Sequence, residues 1–169
     1  QMQSVGEVMS IGRTFRESVQ KAYRSLEVGL DGLEPKPVAE GDPDVNRARS
    51  LDMSTLRYGT AFRLLKVRQA FIEGQTIQDI FKVTKIDPWF LNQIKMLVEA
   101  NGKDPLRQLK HDGFSDKQIG RMIGKGELDV REQRKKESIH PSFKVVDTCA
   151  AEFEALTPYC YSTYDEENE

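Results

Sequence analysis

Helix-ending signals recur so often along this chain that no long helix can form. Asp-Pro pairs stand at Asp42-Pro43, Asp87-Pro88 and Asp104-Pro105, and glycines follow at Gly74, Gly102, Gly113, Gly120 and Gly124. An aspartate caps the free amides of a helix start and proline suits its first position, whereas glycine past the last turn stops the helix. The chain from Asp42 to about Ile139 therefore reads as a succession of short helices. Asp42-Pro43 opens one. The next runs from about Ala61 through Phe62, Leu65, Val67, Ala70 and Phe71 to Gly74, and Thr76 with Asp79 caps another carrying Ile77, Ile80 and Phe81. Asp87-Pro88 starts a helix whose apolar face is Phe90, Ile94, Leu97 and Val98, ended by Gly102. Asp104-Pro105 starts one with Leu106 and Leu109, closed by Gly113. Two of these stretches correspond at an offset of 39 positions, Gly74, Thr76, Ile80 and Thr84 recurring in form as Gly113, Ser115, Ile119 and Ile123. Two copies are too few for a solenoid. The expected fold is mainly α, a compact orthogonal bundle of short helices.

Upstream, Thr14-Phe15-Arg16-Glu17 has the form of a capping box, and Phe15, Val19, Ala22, Tyr23 and Leu26 repeat at helical spacing up to Gly29. Ser4 to Met9 reads as the end of an extended segment. From Val28 to Asp44 the breakers Gly29, Gly32, Pro35, Pro37, Gly41 and Pro43 indicate a linker. Beyond Ile139 the character changes. His140-Pro141 disfavours helix, and Phe143, Val145, Val146, Tyr159, Tyr161 and Tyr164 form two runs that predict an extended or short β C-terminal connector, with a solvated acidic end from Asp165 to Glu169.

With 25 basic and 27 acidic side chains the net charge is −2, which provides no bulk attraction to phosphate or to anionic lipid. Apolar runs fall far short of the roughly 18 residues of a membrane span, and no secretory signal opens the chain, so a cytoplasmic location is expected. Cys149, Cys160, His111 and His140 lack the short ligand pairs that pre-position zinc, and reduced thiols with no metal site are the expectation. Phosphate loop, dinucleotide fingerprint and nucleophile elbow are all missing, so no catalytic or cofactor-binding residue is assigned. Gly113 to Gly124 followed by Glu127 to Ile139, with Arg131, Arg134, Lys135 and Lys136, has the form of a helix-turn-helix nucleic-acid binder. Glu127 and Asp129 at the start of its second helix oppose that use, because a recognition helix puts this end against bases and phosphates. Phe90 is assigned to the core. Trp89, the only tryptophan, is the candidate for a subunit interface, where large aromatics carry much of the binding energy.

Ser4-Val5-Gly6-Glu7-Val8-Met9 with Ile11-Gly12-Arg13-Thr14, then Ile86-Asp87-Pro88-Trp89-Phe90-Leu91, Gly113-Phe114-Ser115-Asp116, His140-Pro141, Val146 to Phe153 and Tyr161-Ser162-Thr163-Tyr164-Asp165-Glu166, taken in order, resemble the middle of the carbamoyl phosphate synthetase large subunit. The resemblance spans nearly the whole chain, and Asp147 to Phe153 with Tyr161 to Tyr164 are its most specific pieces. It implies a parent ligase that makes carbamoyl phosphate from bicarbonate, glutamine-derived ammonia and two ATP molecules, with MgATP held outside the region matched here and no cofactor in this piece. It also implies that residues 1–28 end the first ATP-grasp half, 29–139 form a helical oligomerisation domain and 140–169 connect to the second half. The implied partners are the neighbouring ATP-grasp halves, other large subunits and a glutaminase small subunit. A first residue that is not methionine fits the expectation of an excised middle.

Overall fold

The computed structural model describes residues 7–34, 51–60, 63–146 and 159–165, which are mainly helical with one small two-stranded sheet. In chain order the elements are α1 (Phe15–Ser25), a 3-10 turn (Met53–Arg57), α2 (Arg63–Ile72), α3 (Ile77–Thr84), α4 (Pro88–Glu99), α5 (Leu106–His111), α6 (Asp116–Ile123), α7 (Glu127–Lys136), β1 (Ser142–Val145) and β2 (Cys160–Thr163). They group into two units. One comprises Gln1–Met9 and Ala22–Asn101, the other Ser10–Lys21 and Gly102–Glu169, so α1 contributes its first part to the second unit and its last turn to the first. The helix that Asp42-Pro43 is expected to open, Ala61 and Phe62, Ser4 to Gly6, Asp147 to Phe153 with Cys149, and the acidic end from Glu166 lie outside the described residues.

In the first unit, α2 packs on α4, and α3 packs on α4 and on the 3-10 turn. Leu56, Val67, Ala70, Ile80 and Leu91 are fully buried there. Arg63 fastens the arrangement, its guanidinium donating to the carbonyl of Leu56 at 2.8 Å and to that of Thr84 at 2.6 Å. The stretch after Gly29 is not an idle linker: Leu30 and Leu33 are buried, and Glu34 approaches Arg68 at 3.9 Å. Glycine and proline density indicates irregular backbone, but the leucines between the breakers still lose water when they pack.

The expected starts are largely present. The Asp87 carboxylate accepts from the Trp89 amide at 2.8 Å with Pro88 in the first turn, and the Thr76 hydroxyl accepts from the Asp79 amide at 3.1 Å. Four details differ. Pro105, and not Asp104, is the cap residue of α5, and it makes no side-chain cap bond. At α1 the Glu17 amide donates to Thr14 Oγ1 at 3.1 Å, but the Glu17 carboxylate takes the Arg13 amide at 2.8 Å, one residue before the cap. Helix α4 ends at Ala100 in extended backbone, before Gly102, whose absent side chain instead makes room for Ile123: a Cβ would lie 2.5 Å from Ile123 Cγ2. Lastly, the buried residues of α4 are Leu91, Ile94 and Leu97, and Phe90, although four and seven residues before Ile94 and Leu97 and so on their side of the helix, is 42% exposed in the first turn.

The 39-residue correspondence holds in the backbone. Gly74 and Gly113 both take left-handed φ, 84° and 87°. The following amides, of Gln75 and Phe114, return to the carbonyls of Ala70 and Leu109 at 2.9 and 3.0 Å. Thr76 and Ser115 then cap α3 and α6, each Ile77–Thr84 or Asp116–Ile123, and left-handed residues end both, Lys85 at φ 58° and Gly124 at φ 68°. Leu91 in α4 and Val130 in α7 are the matching buried anchors of the next helix. Each unit holds one copy.

Candidate functional site

The clearest exposed surface of the first unit is the outer side of α4. Trp89 is 54% exposed and Met96 41% exposed, and seven residues is two helical turns, so they lie on one side with Asn92 between them. The Phe90 ring meets Trp89 edge-on, with centroids 4.9 Å apart at 87°. The Asn92 amide donates to Met96 Sδ at 3.9 Å. The sequence expectation placed Phe90 inside and Trp89 on a contact surface; the structure brings both outside, as one aromatic pair.

The second unit is organised differently, around buried polar groups. Glu17 is 2% exposed, and its carboxylate accepts from the Arg13 amide at 2.8 Å and from Thr163 Oγ1 at 3.0 Å, and pairs with Lys21 Nζ at 2.8 Å. Lys21 also donates to the carbonyls of Ile11 and Ser162. Thr163 and Glu17 are separated by most of the chain, so this carboxylate joins the start of α1 to β2. A second cluster lies on α5, α6 and α7. Lys110 Nζ donates to Asp116 Oδ1 at 2.7 Å and to the Phe114 carbonyl at 2.8 Å, while Arg134 reaches Asp116 Oδ2 at 3.2 Å and the Ile139 carbonyl at 3.1 Å. The Tyr164 ring stands 4.7 Å from Lys110 Nζ and 5.5 Å from Arg134 Cζ, a cation-π arrangement with both. Burial alone would push the Asp116 carboxyl up, but the hydrogen bond and charge of Lys110, followed by those of Arg134, outweigh it and hold the group below the usual carboxylate range. Arg16 grips Asp112 at 2.8 Å, again across nearly a hundred residues of chain. Sequence reasoning missed this network. Its only local sign is Glu17, which serves α1's own first turn as well.

Strands β1 and β2 pair antiparallel, Ser142 opposite Thr163 and Val145 opposite Cys160. Their sides are inverted relative to a usual half-buried hairpin: Ser142, Lys144 and Thr163 are buried, and Phe143 and Val145 are 61% and 40% exposed. The inward side is polar because it meets the Glu17 carboxylate.

Helix α7 makes poor use of its cations for phosphate. Arg134 is committed to Asp116, and exposed Arg131, Lys135 and Lys136 are interleaved with Glu127, Asp129, Glu132 and Glu137. His111 Nδ1 is 3.7 Å from Asp112 Oδ1, beyond hydrogen-bond reach, and His140 is exposed. Cys160 is an exposed free thiol. Among the described residues no group of three His, Cys, Asp or Glu could hold a metal ion, and no helix is long and apolar enough to cross a membrane.

Residues 7–138 match the family described as the carbamoyl-phosphate synthetase large chain, oligomerisation domain. The chain belongs to that family. Its similarity to whole proteins has the same character. It is 48% identical to the carbamoyl phosphate synthase large chain of Myxococcus xanthus, over 99% of this chain and 16% of that protein. Against the large chains of Rhodopirellula baltica and Archaeoglobus fulgidus it is 45% and 43% identical, over 100% of this chain and 17% of each. The chain thus spans about a sixth of the curated relatives it matches. The stretch matched to the oligomerisation domain family takes in α1 to α7, both copies of the repeated turn and both polar clusters' helical members, and stops just before the hairpin.

Proposed function

We propose that this chain is the non-catalytic oligomerisation and scaffold segment of a carbamoyl phosphate synthase large chain. The parent enzyme would make carbamoyl phosphate from bicarbonate, glutamine-derived ammonia and two MgATP, in the cytoplasm. The segment would link two ATP-grasp halves, associate with other large subunits and belong to an assembly that includes a glutaminase small subunit. The observation that carries this is the family match over residues 7–138, and the exposed Trp89 and Phe90 pair supports it by offering an apolar contact surface on a rigid helix. The outward Phe143 and Val145 of the hairpin support a connector role, since they leave apolar area for further chain to cover. A helical piece held between two halves controls their spacing by its stiffness, without chemistry of its own.

Light scattering on the 169-residue chain over a concentration series tests the associative part. Mass rising above the 19.3 kDa of one chain with concentration is expected. A strict monomer at the highest concentration would sink self-association. An ATP hydrolysis assay on the same material should read background only, and turnover abolished by a single substitution would overturn the non-catalytic assignment.

A further inference from the structure

Two open grooves of similar size differ in their charge. On α7 a groove of about 630 Å³ is lined by Lys125 and Lys136 together with Asp129, Glu132 and Glu137, so its cations are matched by acids. Where the 3-10 turn meets the end of α3, a groove of about 700 Å³ is lined by Ser54, Arg57 and Tyr58 and by Lys82 to Lys85, with no carboxylate. The chain as a whole carries a net charge of −2, so three cations around one groove run against its composition. The local carbonyls are also occupied. Those of Leu56 and Thr84 accept from the Arg63 guanidinium at 2.8 and 2.6 Å, and the Thr84 hydroxyl donates to the Ile80 carbonyl at 2.8 Å. Two carboxylates stand nearby. Asp52 accepts from the Ser54 amide and hydroxyl at 2.9 and 2.7 Å, and Asp79 is 3.4 Å from Lys82 in an exposed pair, a kind that contributes little. Among the described residues neither Arg57 nor Lys85 forms an ion pair.

The helix dipole ordinarily explains a basic residue in a last turn. It covers Lys82, but not Arg57, which comes from a separate element, nor the lysine at position 85. Lys85 stands at φ 58°, where the other copy of the turn has Gly124 at φ 68°. A lysine kept in backbone that favours glycine is accounted for if its ammonium has a task, and the Phe81 ring, 5.5 Å away, steadies that ammonium. We propose that this groove binds the phosphate group of a small molecule, held by Arg57, Lys82 and Lys85. The planar fork of a guanidinium matches two phosphate oxygens, and the ammonium groups supply further point charges. The groove has the size of small-molecule sites, which run from about 300 to 1,000 Å³. Tyr58, 67% exposed, adds a flat apolar surface for the body that carries the phosphate. Binding there needs no second copy of the chain.

The test is a nuclear magnetic resonance titration of the isotope-labelled 169-residue chain with inorganic pyrophosphate and with glycerol phosphate, at constant ionic strength. Saturable shifts are expected in the amides of Ser54 to Tyr58 and of Lys82 to Ile86. Arg57→Gln and Lys82→Gln should each weaken binding about tenfold, the loss of one charge-assisted contact, with the remaining spectrum retained because both side chains are exposed. Lys136→Gln, in the mixed groove of α7, should leave binding unchanged. Shifts that never saturate, or that are as strong in both groove variants as in wild type, would show only a diffuse ion atmosphere and overturn the site. Citrate bound as tightly as pyrophosphate would assign the groove to carboxylates and overturn phosphate recognition. Retention on phosphatidic acid vesicles without affinity for glycerol phosphate would place the phosphate on a lipid surface and overturn the small-molecule assignment. No shift at these amides with either phosphate ends the proposal.

Discussion

At Gly113 two requirements coincide: a left-handed φ of 87° and a backbone so close to α1 that a Cβ would lie 2.8 Å from Glu17 Cα. Gly74, its counterpart, has the same φ of 84° but nothing within 4 Å of the Cβ position. The pair therefore separates conformational strain from crowding. Gly74→Ala is expected to cost about 1 kcal/mol, the left-handed penalty for a side chain. Gly113→Ala should cost about 3 kcal/mol, because overpacking against backbone that cannot rotate away is added. Urea denaturation of the two variants decides it, and equal losses would show that α1 does not press on this turn. Asp116 makes the second prediction. Its folded pKa lies below the usual value, so it binds its proton less readily in the folded chain than in the unfolded one. The stability it contributes is present above the ordinary carboxylate pKa of about 4 and is lost as pH falls through the lower folded value. Asp116→Asn should be less stable than wild type at neutral pH by about 2 kcal/mol, because it leaves Lys110 and Arg134 without their shared anion. The gap should narrow below about pH 4, where wild type loses the same charge. A gap of constant size from pH 7 to pH 3 would remove the carboxylate from this role.

At the scale of the element, the two copies differ in how they end. Helix α6 stops at Gly124, which takes left-handed backbone freely, whereas α3 stops at Lys85, forced into φ 58° and ψ 16°. Lys85→Gly is accordingly expected to stabilise the chain by about 0.5 kcal/mol in thermal unfolding, and a clear loss would mean that the Lys85 contact with the Phe81 ring outweighs the backbone strain. The starts differ less. Thr76 and Ser115 each cap through a hydroxyl, and removing either by alanine should cost about 1 kcal/mol. Caps and glycine stops were legible in the sequence because they depend on a few neighbouring residues, and so was the correspondence between copies. The end of α3 was not, since no residue type announces a strained lysine. Nor was the burial of Leu30 and Leu33, because the breakers around them report only local backbone.

For the molecule as a whole, the feature with the longest reach is the Glu17 carboxylate, which ties the first helix to the last strand. Thr163→Val keeps the shape of the side chain and removes the hydroxyl that donates to Glu17 at 3.0 Å, and should cost about 1 to 2 kcal/mol because a buried acceptor loses a partner. Hydrogen exchange should then rise in β1 and β2, and unchanged protection there would show that strand pairing alone holds the hairpin. The family could be named from short motifs spread along the chain, since those depend on residue order alone. Most helix starts, such as those at Thr76, Asp87 and Ser115, likewise needed only local chemistry. The tertiary structure decided what depends on distant residues meeting. Phe90 is left 42% exposed although its spacing from Ile94 and Leu97 puts it on the packed side of α4. Arg134 left the surface basic set because Asp116 lies within 3.2 Å. The hairpin buried its polar side because a carboxylate from α1 stands there to accept Thr163. Short-range signals set where each helix begins and ends, but a side chain's surroundings follow from which segments pack together, and that is a property of the folded chain.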